Sequence, residues 1–154
     1  MMSDAPQAEA RVNGHGARAT LHAIIVSPDR IAYDGPVDAL SAPARQGVVT
    51  ILLHHAPMLT ILEPGELSLR HGGQTVYFAV GGGHLEVVDD VITILADSVE
   101  RPDEIDAAEA EAACNRARAM LTRMRSRPDE ALLALRRSQA RLQVARRGQT
   151  GPSA

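Results

Sequence analysis

The chain changes character at Pro102, and this change constrains the fold more than any other feature. Before it, short runs of β-branched and aliphatic residues alternate with glycine and proline turns, whereas after it alanine and arginine dominate. The net charge changes sign at the same point. Residues 1–100 carry twelve Asp or Glu and five Arg, whereas residues 101–154 carry seven Asp or Glu and eleven Arg. The pattern predicts two domains, of which the basic one favours an acidic partner surface.

The first part of the chain has the pattern of an all-β domain. Eight or more strand-like runs at close spacing, with no helix between them, predict a β-sandwich of about ten strands over residues 20–100. Residues 66–70 alternate strictly, with Leu67 and Leu69 on one face, as in a half-buried antiparallel strand. The Pro64-Gly65 pair and the glycine run 81–83 are interpreted as turns or bulges between such runs.

The second part predicts an antiparallel helical hairpin over residues 101–147. The first helix should begin near Asp103, whose carboxylate suits the positive end of a helix. Its apolar stripe is expected to consist of Ala113, Ala117, Met120 and Met124. A break at residues 126–130 leads into the second helix, with Ser126 as candidate N-cap and Pro128 in the first turn.

The second helix should place its leucines on one face and its arginines on the other. Leu132, Leu135 and Leu142 form the expected apolar face, and Arg137 and Arg141 should project from the opposite side. Alanine-lined helices bury little apolar area, so we expect the hairpin to dock weakly on the sandwich and to be able to open. Residues 1–19 are predicted to be a disordered extension, and residues 148–154 a flexible tail.

Composition argues against several functional classes. No apolar run approaches the roughly 20 residues of a spanning helix, and the first twenty residues lack the apolar middle of a secretory signal, so we expect a cytoplasmic chain. Cys114 has no internal disulfide partner and no neighbouring base, which disfavours a catalytic thiol. Metal ligation by the adjacent His54 and His55 is disfavoured because on a strand they would point to opposite faces. The glycine run 81–83 lacks the following helix of a phosphate loop, and no cofactor is expected.

Five segments occur in a fixed order ahead of the helical part: VSPDRIAYDGPVDALSAP, HAPMLTILEPGEL, GGHLEV, ITILAD and RPDEIDAAEAEAA. In this order and spacing, they resemble the epsilon subunit of the bacterial rotary (F-type) ATP synthase over about residues 20–147. The resemblance implies a non-catalytic part of the central stalk, peripheral at the cytoplasmic face of the bacterial plasma (inner) membrane. It also implies a sandwich that sits against the gamma subunit and the membrane c-ring, so that proton-driven rotation reaches the catalytic head.

The resemblance also implies two sets of contact residues. The HAP turn matches the family's ring-facing end, so the c-ring should meet Arg45, Gln46, Gly47, His54, His55 and Pro57. Residues 47–50 read Gly-Val-Val-Thr and lack the acidic residue that often faces the ring. The hairpin is expected either to fold back on the sandwich or to extend along gamma toward an acidic segment of a beta subunit, where it restrains ATP hydrolysis. The candidate contacts to beta are Arg136, Arg137, Arg141, Arg146 and Arg147.

Two other classes were weighed on the residues alone. The arginine-rich helix could suggest nucleic acid, but aromatic residues for base stacking make up only 2% of the chain and the sandwich is acidic, so no nucleic-acid partner is expected. The remaining alternative is an unrelated β-sandwich adaptor with a basic helical tail. Co-purification with the synthase rotor distinguishes this adaptor from an epsilon subunit.

Overall fold

The structure, a computed structural model, describes residues 19–123 and 128–149. Most of the predicted extension and tail, together with Met124 and Ser126, therefore lie outside the described residues. The eight strands are β1 (Leu21–Val26), β2 (Ile31–Val37), β3 (Ala39–Ala44), β4 (Gly47–Ile51), β5 (Met58–His71), β6 (Gln74–Val88), β7 (Val91–Ala96) and β8 (Val99–Glu100). A short 3₁₀ turn, Pro102–Glu104, here called the connecting turn, leads to α1 (Ala107–Arg123) and α2 (Pro128–Gln149).

The strands form one continuous sheet that closes over a single core. Their order is β2-β1-β7-β6-β5-β3-β4, with β8 pairing to β6, and only the β1–β7 pair is parallel. Ile25 and Ile94 from one half of the sheet lie in the same buried cluster as Leu40 and Leu67 from the other half. The expected sandwich followed by a helical hairpin is therefore confirmed.

The strand count is eight rather than about ten, because two expected strand breaks lie inside long strands. Pairing of β5 with β6 continues on both sides of the Pro64-Gly65 pair and the glycine run, skipping only Glu63 and Gly82. Gly83 has a φ of +140°, and a Cβ on it would lie 2.1 Å from the carbonyl oxygen of Leu95. Glycine thus allows β6 to bend and approach β7 closely, so that both long strands serve both halves of the sandwich.

The first helix begins later than expected. Asp106 caps α1, since its Oδ1 accepts hydrogen bonds from the backbone N–H groups of Ala108 and Glu109 at 3.0 and 3.2 Å. The expected start near Asp103 is wrong because that residue belongs to the connecting turn. Pro102 is the first residue of this turn, and the carboxylate of Glu104 accepts a hydrogen bond from Arg30 of the sandwich.

The packing faces of both helices differ from those predicted. The buried residues of α1 are Ala110, Cys114 and Ala117, whereas Met120 is exposed. Those of α2 are Ala131, Ser138, Ala140, Val144 and Ala145, whereas Leu132 is exposed and Leu135 and Leu142 are only partly buried. Small residues lie between the helices because they allow close approach, and the bulkier side chains are displaced to the flanks.

Candidate functional site

The hairpin lies folded back on the sandwich, and α2 is the helix that makes the contact. α2 packs on β5, β6 and the connecting turn, while α1 packs mainly on α2. The apolar part of this interface is a small cluster of Ala79, Ile105, Ala110, Val144 and Ala145. Alanine methyl groups contribute little to burial, so this cluster by itself gives only a modest docking energy.

Three arginines of α2 form ion pairs with the sandwich. Arg141 donates from Nε to Oε2 of Glu100 at 2.8 Å and from Nη2 to Oε1 at 3.3 Å. The expectation that Arg141 projects away from the packed face is therefore wrong, because its side chain reaches back to β8. The sequence pattern could not show this, since Glu100 and Arg141 are 41 residues apart.

The other two pairs join α2 to β5. Arg147 donates from Nε and Nη2 to the two carboxylate oxygens of Glu66, both at 3.1 Å, and its guanidinium lies 4.6 Å from the ring centroid of Tyr77. The Glu66 hydrogen bonds raise the pKa of Arg147 above its ordinary value. Arg136 Nη1 lies 3.6 Å from Glu63 Oε2. In the folded-back state, three of the five candidate beta-contact arginines are thus paired with sandwich glutamates.

Arg137 and Arg146 are the two remaining candidates. Their side chains form no hydrogen bond or ion pair with another described residue. Arg137 lines a cavity of about 90 Å³ between α2 and the sandwich, together with Arg141, Glu100, Ser98 and the backbone near Gly81. The expectation that the chain binds no cofactor stays a prediction.

The connecting turn is tied to the sandwich by a second group of charges. Glu104 accepts two hydrogen bonds from Arg30, which follows β1, and a third from the backbone N–H of Arg101 at 2.8 Å. These interactions, the Arg30 pair foremost, lower the pKa of Glu104 from 4.5 to about 2. Arg101 also donates to the carbonyl oxygen of Ala32 at 3.0 Å. The turn is therefore held by the sandwich and not only by the hairpin.

The candidate ring-facing residues lie at the two ends of β4, which is an edge strand. Arg45 and Gln46 form the β3–β4 turn and Gly47 begins β4, whereas His54, His55 and Pro57 lie in the loop after it. The two groups are separated by about 13 Å of strand, at roughly 3.3 Å per residue. They therefore form one edge of the sandwich and not a single cluster.

Hydrogen bonds hold the histidine loop in place. The backbone N–H of His54 donates to Asp90 Oδ1 at 2.6 Å, and its Nδ1 lies 3.3 Å from Asp90 Oδ2. His54 has a φ of +62°, so the two adjacent histidines, His54 and His55, lie in a loop and not on a strand. His55 Nδ1 lies 2.7 Å from the carbonyl oxygen of Ala56.

Two exposed apolar residues on this edge were missed by the sequence reasoning. Val48 is 76% exposed and Leu52 is 51% exposed, between the two groups of candidate residues. Val48 falls within the Gly-Val-Val-Thr stretch that lacks the expected acid. The edge is therefore more apolar than the resemblance implied.

The outer face of the β2-β1-β7-β6-β5 half carries a larger apolar surface, which the sequence reasoning also missed. Leu59 pairs with Glu86, which pairs with Thr93, and Ile61 pairs with His84, which pairs with Leu95, so these residues share one face. The exposed apolar residues on this face are Ile31, Leu59, Ile61, Val88, Val91 and Leu95. The surface that these six residues form is here called the outer face. The continuous apolar runs HAIIV and VITIL were a usable signal, because strands buried on one face alternate whereas strands covered on both do not.

Neither α1 nor α2 is long and apolar enough to cross a membrane. Among residues 19–123 and 128–149, no three His, Cys, Asp or Glu side chains are placed to hold a metal ion together.

The chain was compared with known proteins. A family model described as "ATP synthase, Delta/Epsilon chain, beta-sandwich domain" matches residues 20–102. The ATP synthase epsilon chain of Chloroflexus aurantiacus is 52% identical over 93 residues, which cover 60% of this chain and 67% of that one. The ATP synthase epsilon chain of Herpetosiphon aurantiacus is 44% identical over 124 residues, covering 79% and 91%.

Solved structures show the same fold. A chain in the cryo-EM structure of the Euglena gracilis mitochondrial ATP synthase (OSCP/F1/c-ring, rotational state 1) has a TM-score of 0.73 and 23% identity, covering 93% of this chain and 90% of that one. Since the family model spans more than half of the residues and a relative at 44% identity extends into the helices, the alternative of an unrelated adaptor is wrong. The chain belongs to the family of ATP synthase epsilon chains.

Proposed function

We propose that this chain is the non-catalytic epsilon subunit in the central stalk of a bacterial F-type ATP synthase. It couples rotation of the c-ring, driven by proton transport, to ATP synthesis in the catalytic head, and it restrains ATP hydrolysis through its C-terminal helices. The match to the Herpetosiphon aurantiacus epsilon chain carries the proposal, because it spans 91% of that chain and so includes sandwich and helices together. The subunit is peripheral, at the cytoplasmic face of the bacterial plasma membrane, and is held there through the complex.

The outer face is the proposed contact with the gamma subunit. It exposes leucine, isoleucine and valine side chains on four of the five strands β2, β1, β7, β6 and β5, which is unusual for a sheet face left in water. Leu59 and Leu95 are 73% and 57% exposed, and burying one leucine stabilises a contact by about 1.5–3 kcal/mol. A rigid apolar face of this kind suits a permanent rotor contact better than a transient one.

The edge formed by β4 and its flanking loops is the proposed contact with the c-ring. It carries Arg45, Gln46 and Gly47 at one end and His54, His55 and Pro57 at the other, with Val48 and Leu52 between them. Arg45 and the histidines can pair with acidic or carbonyl groups on the ring loops. The exposed valine and leucine add apolar contact.

The hairpin is the proposed regulatory element. In its extended state, Arg136, Arg137, Arg141, Arg146 and Arg147 would meet an acidic segment of a beta subunit, where guanidinium groups pair with carboxylates. The purely basic sequence after Glu130 supports this role, since it leaves no acid to repel such a segment.

Co-purification with the cognate gamma subunit tests the central part of the proposal. We expect the full chain to form a stable complex with gamma that survives gel filtration. A chain truncated after Asp106 should retain this complex, because it keeps the outer face and the Arg30–Glu104 pair. Absence of any complex with gamma would overturn the assignment.

Hydrolysis by the isolated catalytic head tests the regulatory part. Heads assembled with the chain truncated after Asp106 should hydrolyse ATP faster than heads with the full chain, while ATP synthesis by the whole membrane-bound enzyme stays coupled. Equal hydrolysis rates at low salt would mean that the hairpin has no inhibitory role.

A further inference from the structure

The arginines of α2 are arranged on both flanks of the surface that it turns toward the sandwich. At about 100° per residue, Ala140 and Val144 lie at the middle of this surface, and both are buried. Arg136 and Arg147 fall on one flank of this surface, and Arg141 falls on the other. The two residues of the first flank are separated by about 16 Å along the helix, at 1.5 Å per residue.

The sandwich supplies one glutamate for each of these arginines. Glu63 and Glu66 lie on β5 at its bend, beneath the first flank, and Glu100 lies on β8 beneath the second. The helix is thus held from both sides of a narrow apolar strip. Exposure of the six side chains ranges from 15% to 49%, so these pairs remain partly accessible to solvent, and added salt screens them.

We propose that Glu63, Glu66 and Glu100 form an acidic latch that holds the hairpin folded back. The latch binds the same guanidinium groups that the proposed function assigns to the beta subunit, and it therefore competes with that subunit for them. An arginine paired with the latch is unavailable to an external carboxylate, so the hairpin exchanges one set of acidic partners for another. The inference rests on the proposed function for the identity of the competitor, but the latch itself is a property of the isolated chain.

The test measures docking of α2 in the full chain without any other subunit. Nitroxide labels on Cys introduced at Gln74 and Gln143, both exposed, report the distance between β6 and α2 in a Cys114→Ala background. The latch variant combines Glu63→Gln, Glu66→Gln and Glu100→Gln. The control combines Glu86→Gln, Asp89→Asn and Asp97→Asn, which remove the same charge from sandwich side chains that form no hydrogen bond or ion pair with the described residues of the hairpin.

We expect one narrow distance distribution for the wild type and the control at low salt. The latch variant should show a second, longer distance, with a docking equilibrium constant lowered about tenfold, equivalent to about 1.4 kcal/mol. Raising salt from about 0.1 to about 1 M shortens the screening length from ~10 to ~3 Å, so it should release the wild-type hairpin but change the latch variant little. Identical distributions for latch variant and control, or docking of the wild type that is insensitive to salt, would overturn the proposal.

A charge exchange separates the latch from a general loss of stability. Arg141→Glu alone should release the hairpin, and Arg141→Glu with Glu100→Arg should restore the short distance, since the pair is re-formed with its signs exchanged. Failure of the double variant to dock better than the single one would contradict a direct pairing. If these distances behave as expected while the hydrolysis assay shows no inhibition, the latch stands and the proposed regulatory function falls.

Discussion

Arg30 and Glu104 face each other side to side, with Nη1–Oε1 and Nη2–Oε2 distances of 2.5 Å. The two residues are 74 positions apart, one after β1 and one in the connecting turn. Because Arg30 also donates to the carbonyl oxygen of Val99, the pair fastens the end of the last strand to the turn that follows it. For the proposed opening of the hairpin, we therefore place the pivot after Glu104, near Asp106, and not at the predicted domain boundary at residue 100.

The Arg30–Glu104 pair should make stability depend on acid pH. The folded-state pKa of Glu104, about 2, lies below the ordinary 4.5, so the ion pair stabilises the fold fully above about pH 4.5 and loses this effect as the pH falls toward 2. Glu104→Gln should lower the free energy of unfolding by roughly 1 kcal/mol at pH 7, as for a half-exposed charged hydrogen bond. Urea unfolding at several pH values should show the difference from wild type shrinking between pH 4.5 and 2. A difference that stays constant over this range, or one equal to that of Glu86→Gln, would contradict the assignment.

Gly83 should tolerate no side chain. A Cβ would lie 2.1 Å from the carbonyl oxygen of Leu95, and the φ of +140° is unfavourable for any L residue. Gly83→Ala should therefore lower the free energy of unfolding by about 2–4 kcal/mol. Gly35→Ala, whose Cβ would make an ordinary contact with Tyr33 at 3.4 Å, is the matched control and should change it by less than about 0.5 kcal/mol.

The arginines that are unpaired with described residues should separate inhibition from docking. Arg137→Gln with Arg146→Gln keeps all three ion pairs to the sandwich, so the hairpin should remain docked in the isolated chain. In the assembled head, the same variant should weaken inhibitory binding about two- to thirtyfold, since exposed pairs are worth roughly 0.2–1 kcal/mol each. Arg141→Gln with Arg147→Gln removes two of the three ion pairs to the sandwich and should therefore weaken docking in the isolated chain. Hydrolysis rates that are unchanged by the first variant would remove these two residues from the beta contact.

The outer face should control binding to gamma. Leu59→Asp with Leu95→Asp places two charges on it and should raise the dissociation constant for gamma at least about tenfold, because a charge replaces a buried apolar contact. Val48→Asp makes a comparable change on the β4 edge, where the side chain is also largely exposed, and should leave gamma binding unaltered. Equal affinity of the double variant and wild type, measured by titration calorimetry, would exclude the outer face.

The β4 edge should be close to the c-ring in assembled enzyme. Cys introduced at Gln46 ought to form an oxidative crosslink with a Cys on a ring loop, because Gln46 sits at the tip of the β3–β4 turn. Cys at Gln74, an exposed residue at the start of β6, serves as control and should not crosslink. A probe at position 46 that remains fully accessible after assembly would argue against the placement.

Features that depend on neighbours in sequence were predictable. Leu67 and Leu69 alternate with polar residues, and both are buried as expected. The change at Pro102 does separate the strands from the helices, because periodicity is a local property of the chain. The second helix begins at Pro128, which was expected in its first turn, whereas Ser126 lies outside the described ranges.

Features that depend on which segments meet in space were not predictable. Proline and glycine at the bends of β5 and β6 look like strand ends, and the pairing of the two strands with each other on both sides of the bends shows that they continue. The buried faces of the helices were misjudged because two helices in close contact select small residues, whereas periodicity alone favours the large ones.

The sequence alone determined that this chain has a sandwich, a basic hairpin and the motifs of its family. Strand periodicity, helix composition and turn residues each depend only on residues that are near one another in the sequence. Only the tertiary structure decided what the arginines do. Glu66 and Arg147 are 81 residues apart, and no local pattern relates them. They pair because the fold lays α2 across the bend of β5 and so brings a guanidinium and a carboxylate within hydrogen-bond distance of each other.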